Sequence, residues 1–248
     1  MGSAAIALWS AAVGLWRDNA VARPAAVLDR AEVLTRYRHL REISKQHHSA
    51  VLKFLSGDAI MSQARRLGLT QGKTLVANSV DDLNLAFDLV IHTASKDRSR
   101  AIDRYARAAR LAPESDKSLV LEAMRRARFS IISLVRRHPV AGLIVKDVFR
   151  DDDIWLVDEG LETSFVEGVG LATRLFAPER FAMTAGVMVP LDRKSIAAAL
   201  ADTPLLLRKN YQETGVDDRR FAEAIYRVAI ANGLTDRVSY QDTVAKSD

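Results

Sequence analysis

Arginine is the residue type whose spacing in this sequence points most directly to chemistry. At helical periodicity, Arg100, Arg104, Arg107 and Arg110 fall on about one third of the circumference of a helix predicted over residues 97–111. The opposite side of that helix is apolar, so we expect the arginine side to face solvent. Guanidinium groups in such a row can neutralise successive phosphates. The helix therefore predicts a face that contacts nucleic acid in a salt-dependent and sequence-tolerant way.

More arginines follow shortly after this helix. Arg125 and Arg126 complete the set of predicted nucleic-acid-binding residues, and Arg128, Arg136 and Arg137 add to the same positive field. Two alternative roles stay open for these arginines. Exposed helices often carry arginine for solubility, and an acidic surface of the same chain or of a homodimer partner can neutralise it.

The charges along the chain are strongly segregated. Residues 95–137 contain twelve Lys and Arg against five Asp and Glu, whereas residues 141–192 contain four against ten. The overall net charge of +5 conceals this arrangement. Blocks of opposite sign either steer charged partners or hold two parts of a protein together. We therefore expect nucleic acid as the first partner, with a protein–protein adaptor that has charge-paired domains as the alternative.

The acidic block contains one dense group of carboxylates. Asp151, Asp153, Asp158 and Glu159 lie close together in the sequence, beside predicted strand ends. Carboxylate oxygens are the ligands that Mg²⁺ prefers, so these four are weak candidates for a metal site in a phosphodiesterase or hydrolase. Asp is also favoured in solvated hairpin turns, because its side chain accepts hydrogen bonds from nearby backbone N–H groups. The sequence supports the turn better than the metal site.

Other catalytic and cofactor motifs are incomplete. The glycines of Gly68-Leu-Thr-Gln-Gly72-Lys73 are one residue too close for a phosphate-binding loop, and Gly168 and Gly170 lead into a predicted strand rather than a helix. The sequence has no cysteine and no GxSxG elbow. No metalloprotease spacing occurs among the five histidines, which are His39, His47, His48, His92 and His138. We therefore predict a binding or regulatory protein without a cofactor in preference to an enzyme, and a metal-dependent phosphodiesterase or hydrolase stays open as the third alternative.

Hydrophobic periodicity predicts an α+β fold. Helical signals extend to residue 128, five short apolar runs separated by turn residues follow to 192, and helical signals return from 193. The short links favour an antiparallel meander that forms a small sheet or an SH3-like or OB-like barrel. We divide the chain into an apolar N-terminal segment (1–24), a basic helical domain (25–128), an acidic β-rich module (129–192), C-terminal helices (193–240) and a loose tail (241–248).

The longest predicted helix, from about Ala25 to Leu55, has a heptad-like apolar seam that Ser44 and His47 interrupt. Further helix boundaries are indicated by Gly68 and by capping signals at Ser79 and Ser115. We expect the apolar seam to be buried within the protein. Its members are Val33, Tyr37, Leu40, Val51 and Phe54.

The N-terminal stretch from Ala4 to Trp16 is apolar, but no basic residue precedes it. A secretory signal requires a basic start, and a membrane-spanning helix requires about 20 apolar residues. We therefore expect a packing helix or a loose end there, no transmembrane segment, and a cytoplasmic protein.

Overall fold

The computed structural model describes residues 29–77, 79–94, 98–202 and 219–235. Within these ranges the chain forms eight α-helices, a five-stranded antiparallel sheet and a two-stranded hairpin, which confirms the α+β fold. None of these helices is long and apolar enough to cross a membrane. The predicted segments 1–24 and 241–248 lie outside the described residues.

The helices are α1 (Arg30–Val51), α2 (Gly57–Arg66), α3 (Val80–His92), α4 (Ala101–Ala108), α5 (Asp116–Arg125), α6 (Glu159–Ser164), α7 (Arg193–Asp202) and α8 (Arg219–Ala231). The strands are β1 (Thr70–Gln71), β2 (Thr74–Leu75), β3 (Arg128–Arg137), β4 (Leu143–Asp147), β5 (Asp152–Leu156), β6 (Gly170–Phe176) and β7 (Met183–Leu191).

The longest helix, α1, confirms the predicted apolar seam. Val33, Tyr37, Leu40 and Val51 are buried along it. Phe54 is half-buried in the 3₁₀ turn that follows the helix, where it packs against the same cluster. Burial of a continuous stripe of this kind, rather than helix propensity alone, supplies most of the stability of a helix in a protein.

Two polar residues, Ser44 and His47, are buried in this seam. His47 is fully satisfied there, because Nδ1 lies 2.8 Å from the Tyr105 hydroxyl oxygen and Nε2 lies 2.8 Å from the Lys117 carbonyl oxygen. Tyr105 belongs to α4 and Lys117 to α5. His47 therefore fixes the contact of α1 with these two helices.

Local signals set the helix starts as predicted. Ser79 caps α3: its hydroxyl accepts from the Asp82 N–H at 3.2 Å, and the Asp82 carboxylate accepts from the Ser79 N–H at 3.3 Å. Ser115 caps α5 by accepting from the Ser118 N–H. Helix α4 is shorter than the predicted range 97–111, because the residues on either side of it have an extended backbone.

The strands of the large sheet are ordered β5-β4-β3-β6-β7, and all neighbours are antiparallel. The predicted meander is correct for β3 to β5 and for β6 to β7. It is wrong between β5 and β6, because β6 pairs with β3 instead. The crossing segment contains α6, whose first turn is capped by Asp158 accepting from the Leu161 N–H at 3.1 Å. A helix of six residues has too few turns to show an apolar period in the sequence.

The sheet curls toward a barrel without closing. The edge strands β5 and β7 approach at a parallel bridge between Leu156 and Ala182. There the Val157 N–H donates to the Ala182 carbonyl at 3.0 Å, and the Ala182 N–H donates to the Trp155 carbonyl at 2.7 Å. The strand order, with a helix between the third and fourth strands, corresponds to the OB-like alternative. The closed barrel was the wrong part of that expectation.

Helices and sheet share their buried core. One cluster, which includes Ile132, Leu143 and Leu156, fills the inside of the curled sheet. A second cluster lies between α1, α4, α5 and one end of the sheet. A third joins the outer face of β3, β6 and β7 to α2, α3, α7 and α8. Side chains between the helices and the sheet are therefore held by a well-packed frame.

Leu40 tests the packing of α1, since its side chain is completely buried. Leu40→Ala should lower the free energy of unfolding by roughly 2–5 kcal/mol through lost burial and a residual cavity. Glu42→Ala, at an exposed position of the same helix, should change it by less than about 0.5 kcal/mol. Urea denaturation of both variants measures the difference. An unchanged midpoint for Leu40→Ala would contradict the burial of the seam.

Candidate anion-binding site

Six arginines from several parts of the chain surround one cavity of about 270 Å³. The remaining wall is formed by His92, Thr93, Ala127, Phe129 and Ala222, so no described carboxylate lines the cavity. A wall that contains several cationic side chains and no described anionic one favours anionic groups. The six arginines are Arg100, Arg125, Arg126, Arg128, Arg174 and Arg219.

The junction between α5 and β3 supplies half of these arginines. Arg125 is the last residue of α5 and Arg128 is the first of β3, so the chain has only two residues in which to turn. Cationic side chains are favourable at a helix C-terminus, where the last carbonyl groups give a negative end to the helix dipole. The short link therefore concentrates Arg125, Arg126 and Arg128 at one edge of the cavity.

Two carboxylates hold the outer arginines in place. Asp103 pairs with Arg100 at 2.7 Å and with Arg125 at 3.1 Å. Glu122 pairs with Arg125 at 2.7 Å and with Arg126 at 2.8 Å. Partial burial raises the pKa of Asp103, but the hydrogen bonds from its two arginines outweigh burial and lower it. A guanidinium has five N–H groups, so each arginine stays able to bind a further anion while its orientation is fixed.

The floor of the cavity is a buried ion pair. Arg174 donates to both oxygens of Asp88, from Nε at 2.8 Å and from one Nη at 2.9 Å, and the two side chains are only 6% and 4% exposed. Tyr226 donates a third hydrogen bond to Asp88 at 2.9 Å. Burial raises the pKa of Asp88, yet Arg174 outweighs it and the pKa is lowered. The pair therefore stays charged, and the second Nη of Arg174 is available at the cavity floor.

The position of Arg174 follows from an irregularity in the sheet. On its β3 side the register is regular, with Arg174 opposite Phe129. On its β7 side the register shifts between Thr173 and Leu175. Such bulges redirect a side chain away from the regular alternation of a strand. This one lies where the strand carries its only buried guanidinium among the described residues.

His92 lies one helical turn after Asp88 on α3, and its side chain is buried beside the same floor. Neither of its ring nitrogens has a hydrogen-bond partner. Burial, followed by the charge of Arg174, holds the pKa of His92 well below its usual range, so the ring is neutral. A neutral imidazole has one N–H donor and one acceptor nitrogen. Buried polar atoms without partners are rare, and at the wall of a cavity they indicate a ligand.

The structure brings together three of the six arginines predicted from the sequence. Arg100, Arg125 and Arg126 line the cavity, whereas Arg104 donates to the carbonyl oxygens of Ser99 and Phe54 and is half-buried. The remaining two stay exposed and do not line the cavity: Arg107, which donates to the Ser99 hydroxyl, and Arg110. The predicted continuous helix face is thus divided into a cavity edge, a structural contact and an exposed remainder.

The four candidate metal ligands do not converge. Lys146 pairs with Asp151 at 2.8 Å and contacts Asp153 at 3.9 Å. Asp158 caps α6 and accepts from the Thr184 hydroxyl at 2.8 Å, while Glu159 pairs with an arginine of α1. Among the described residues, no group of three or more His, Asp or Glu side chains could hold a metal ion. The hairpin-turn interpretation fits Asp151, since its positive φ of 60° is a turn conformation.

OB-like barrels bind oligonucleotides through the face of their second and third strands, here β4 and β5, together with their first and last loops. Helix α1 occupies that region. Arg30 donates to the Val140 carbonyl in the first of these loops, and Arg36 pairs with Glu179 in the last. Trp155 and Phe181 pack into the same cluster as the buried side of α1. The arginine-lined cavity lies at the opposite end of β3, beside Arg128. The fold therefore offers a different site from the one its strand order would suggest.

Sequence reasoning missed His92, Arg174 and Arg219 as site residues. Asp88 and His92 stand four residues apart in an otherwise apolar part of α3, and Arg174 interrupts the apolar run of β6. A charged residue within an apolar run is almost never buried without a partner. A charged residue within an apolar run therefore indicates a buried ion pair, but the sequence does not show which residue is its partner.

One comparison with known proteins places the chain in a family. A family model described as a family of unknown function, DUF7986, matches residues 31–237. The chain belongs to that family. No curated protein and no solved structure matches the chain. The range that matches DUF7986 includes every residue that lines the cavity, from His92 to Ala222.

Asp88 tests whether the cavity floor depends on a buried counter-charge. Asp88→Ala should lower the free energy of unfolding by roughly 3–5 kcal/mol, because Arg174 is left charged and unpaired in the interior. Replacing both partners, as Asp88→Leu with Arg174→Met, should recover most of that loss. Glu122→Ala, which breaks partly exposed pairs, should lose less than about 1 kcal/mol. Guanidinium denaturation checks all three, and an Asp88→Ala protein as stable as the parent would contradict the charged pair.

Proposed function

We propose that this protein is a non-enzymatic binding or regulatory protein that holds a phosphorylated ligand in its arginine-lined cavity, with nucleic acid as the first ligand to test. The observation that carries the proposal is the convergence of six guanidinium groups on one cavity that no described carboxylate lines. A cytoplasmic location belongs to the same proposal, because nucleic acid is available there.

The chemistry of arginine supports phosphate as the bound group. A guanidinium is planar and always charged, and its paired N–H groups match the oxygens of a phosphate. Asp103 and Glu122 already fix the orientation of three of the arginines. Less side-chain freedom is lost on binding when the receptor is ordered beforehand, which favours affinity.

The distribution of ion pairs also supports an anionic partner for the basic block. The acidic stretch pairs largely with α1, through Arg30 with Glu162 at 2.7 Å and Arg38 with Glu159 at 2.6 Å. Arg128 of the basic block contacts Asp152 at 3.7 Å. Among the described residues, the acidic stretch thus pairs mainly with α1 and does not line the cavity.

A protein–protein adaptor is the second candidate. It is favoured by the same pairs between α1 and the acidic stretch, since they show that charge pairing already joins parts of this chain. In that case a second, acidic protein would bind the arginines. Such a partner would need to place carboxylates inside the cavity, where phosphate oxygens bind in the first proposal.

Charge-reversing substitutions distinguish binding in the cavity from binding on the exposed face of α4. Arg126→Glu with Arg219→Glu should weaken binding of a labelled single-stranded oligonucleotide at least tenfold, measured by fluorescence anisotropy. Arg107→Glu with Arg110→Glu makes the same change of charge outside the cavity and should have a much smaller effect. For the parent protein, the logarithm of affinity should fall with the logarithm of salt concentration by about 0.7 per phosphate contacted.

The two double variants separate three outcomes. Loss of binding only in the cavity variant supports the cavity as the site. Equal loss in both variants moves the site to the helix face, and this overturns the cavity. Absence of any oligonucleotide binding at low salt removes nucleic acid and favours the adaptor.

A further inference from the structure

The cavity has a cationic wall. Six arginines line it, and none of the described carboxylates does. His92 adds no charge while it is neutral. A phosphate monoester carries about −1.5 to −2 at neutral pH, whereas a diester within a nucleic-acid strand carries one negative charge. A cationic wall attracts either group, so the choice between them depends on the floor of the cavity.

The depth of the floor restricts which part of a ligand can reach it. His92 and Arg174 are both buried, and the cavity has a volume of about 270 Å³. Sites for whole drug-sized ligands are commonly about 300–1,000 Å³. An internal phosphate has chain on both sides and needs two ways out of a site. A terminal phosphate needs only one, so it can reach a floor at the end of a small cavity.

The two ring nitrogens of His92, which have no hydrogen-bond partner, also favour a terminal monoester over an internal diester. One ring nitrogen donates an N–H, which any phosphate oxygen can accept. The other can only accept, and it needs a donor from the ligand. A monoester that binds together with one proton has a charge of −1 and one P–O–H group that can donate to this nitrogen, whereas a diester of the same charge has no such group. A monoester thus satisfies both nitrogens, and its remaining oxygens face the second Nη of Arg174.

We propose that His92 and Arg174 form a subsite for a terminal phosphate monoester, so that the protein recognises the phosphorylated end of its ligand. This inference rests on the proposed function, because it takes the cavity as the site of a phosphorylated ligand. It adds which chemical group reaches the floor and which residues select it. The outer arginines then contact the neighbouring phosphates or the rest of the ligand.

Three versions of one short single strand test the inference with the intact chain: a 5′-phosphate form, a 3′-phosphate form and an unphosphorylated form. At least one phosphorylated form should bind about tenfold or more tightly than the unphosphorylated strand, as expected for hydrogen bonds to a charged group. His92→Leu should remove this preference without loss of stability, because it deletes buried polar atoms that have no partner. His92→Gln keeps a donor and an acceptor and should preserve part of the preference.

Each possible result either supports or overturns the terminal phosphate subsite. A phosphate preference that His92→Leu abolishes and His92→Gln partly keeps supports the subsite. Equal binding of all three strands overturns the subsite. A phosphate preference that survives in His92→Leu also overturns it. Neither result contradicts the proposed function. If no strand binds, calorimetry with phenyl phosphate decides: binding that His92→Leu abolishes keeps the subsite without nucleic acid, and absence of binding overturns both.

Discussion

The buried ion pair between Arg174 and Asp88 is the interaction on which the candidate site depends. It joins β6 to α3, and the Tyr226 hydroxyl adds α8 to the same junction. A guanidinium in the protein interior is stable only with a counter-charge and further hydrogen bonds, and Asp88 supplies the counter-charge. The pair therefore keeps the guanidinium of Arg174 charged and fixed at the floor of the cavity, beside the unpartnered His92.

The remainder of the fold separates two surfaces of the curled sheet. At one end of β3, helix α1 packs against the loops that an OB-like barrel leaves free, and its arginines pair with the acidic stretch. At the other end, the link between α5 and β3 and the start of α8 bring arginines together around the cavity. The two charge blocks of the sequence thus make their contacts mainly at different ends of the sheet. The acidic block pairs with α1, and the basic block supplies four of the six arginines that line the cavity.

Local patterns predicted the elements, but tertiary contacts determined the site. The seam of α1 and the cap at Ser79 depend on neighbouring residues, so the sequence predicted both. The side chain of Arg104 was placed on the correct helix, but its bond to the Phe54 carbonyl joins residues fifty positions apart, which no local period can indicate. In the same way, the pairing of β6 with β3 and the contact of Arg174 with Asp88 depend on how distant segments meet.

The central claim is that the floor of the cavity binds phosphate through His92. The most direct measurement is a titration of ¹⁵N-labelled protein with inorganic phosphate. The NMR signals of the histidine ring nitrogens are recorded at each phosphate concentration. Those of His92 should shift and saturate as its nitrogens gain partners, while those of His47, which already has two partners, should stay in place. If the His92 signals do not move while phosphate binds elsewhere, or if phosphate does not bind, the claim is contradicted.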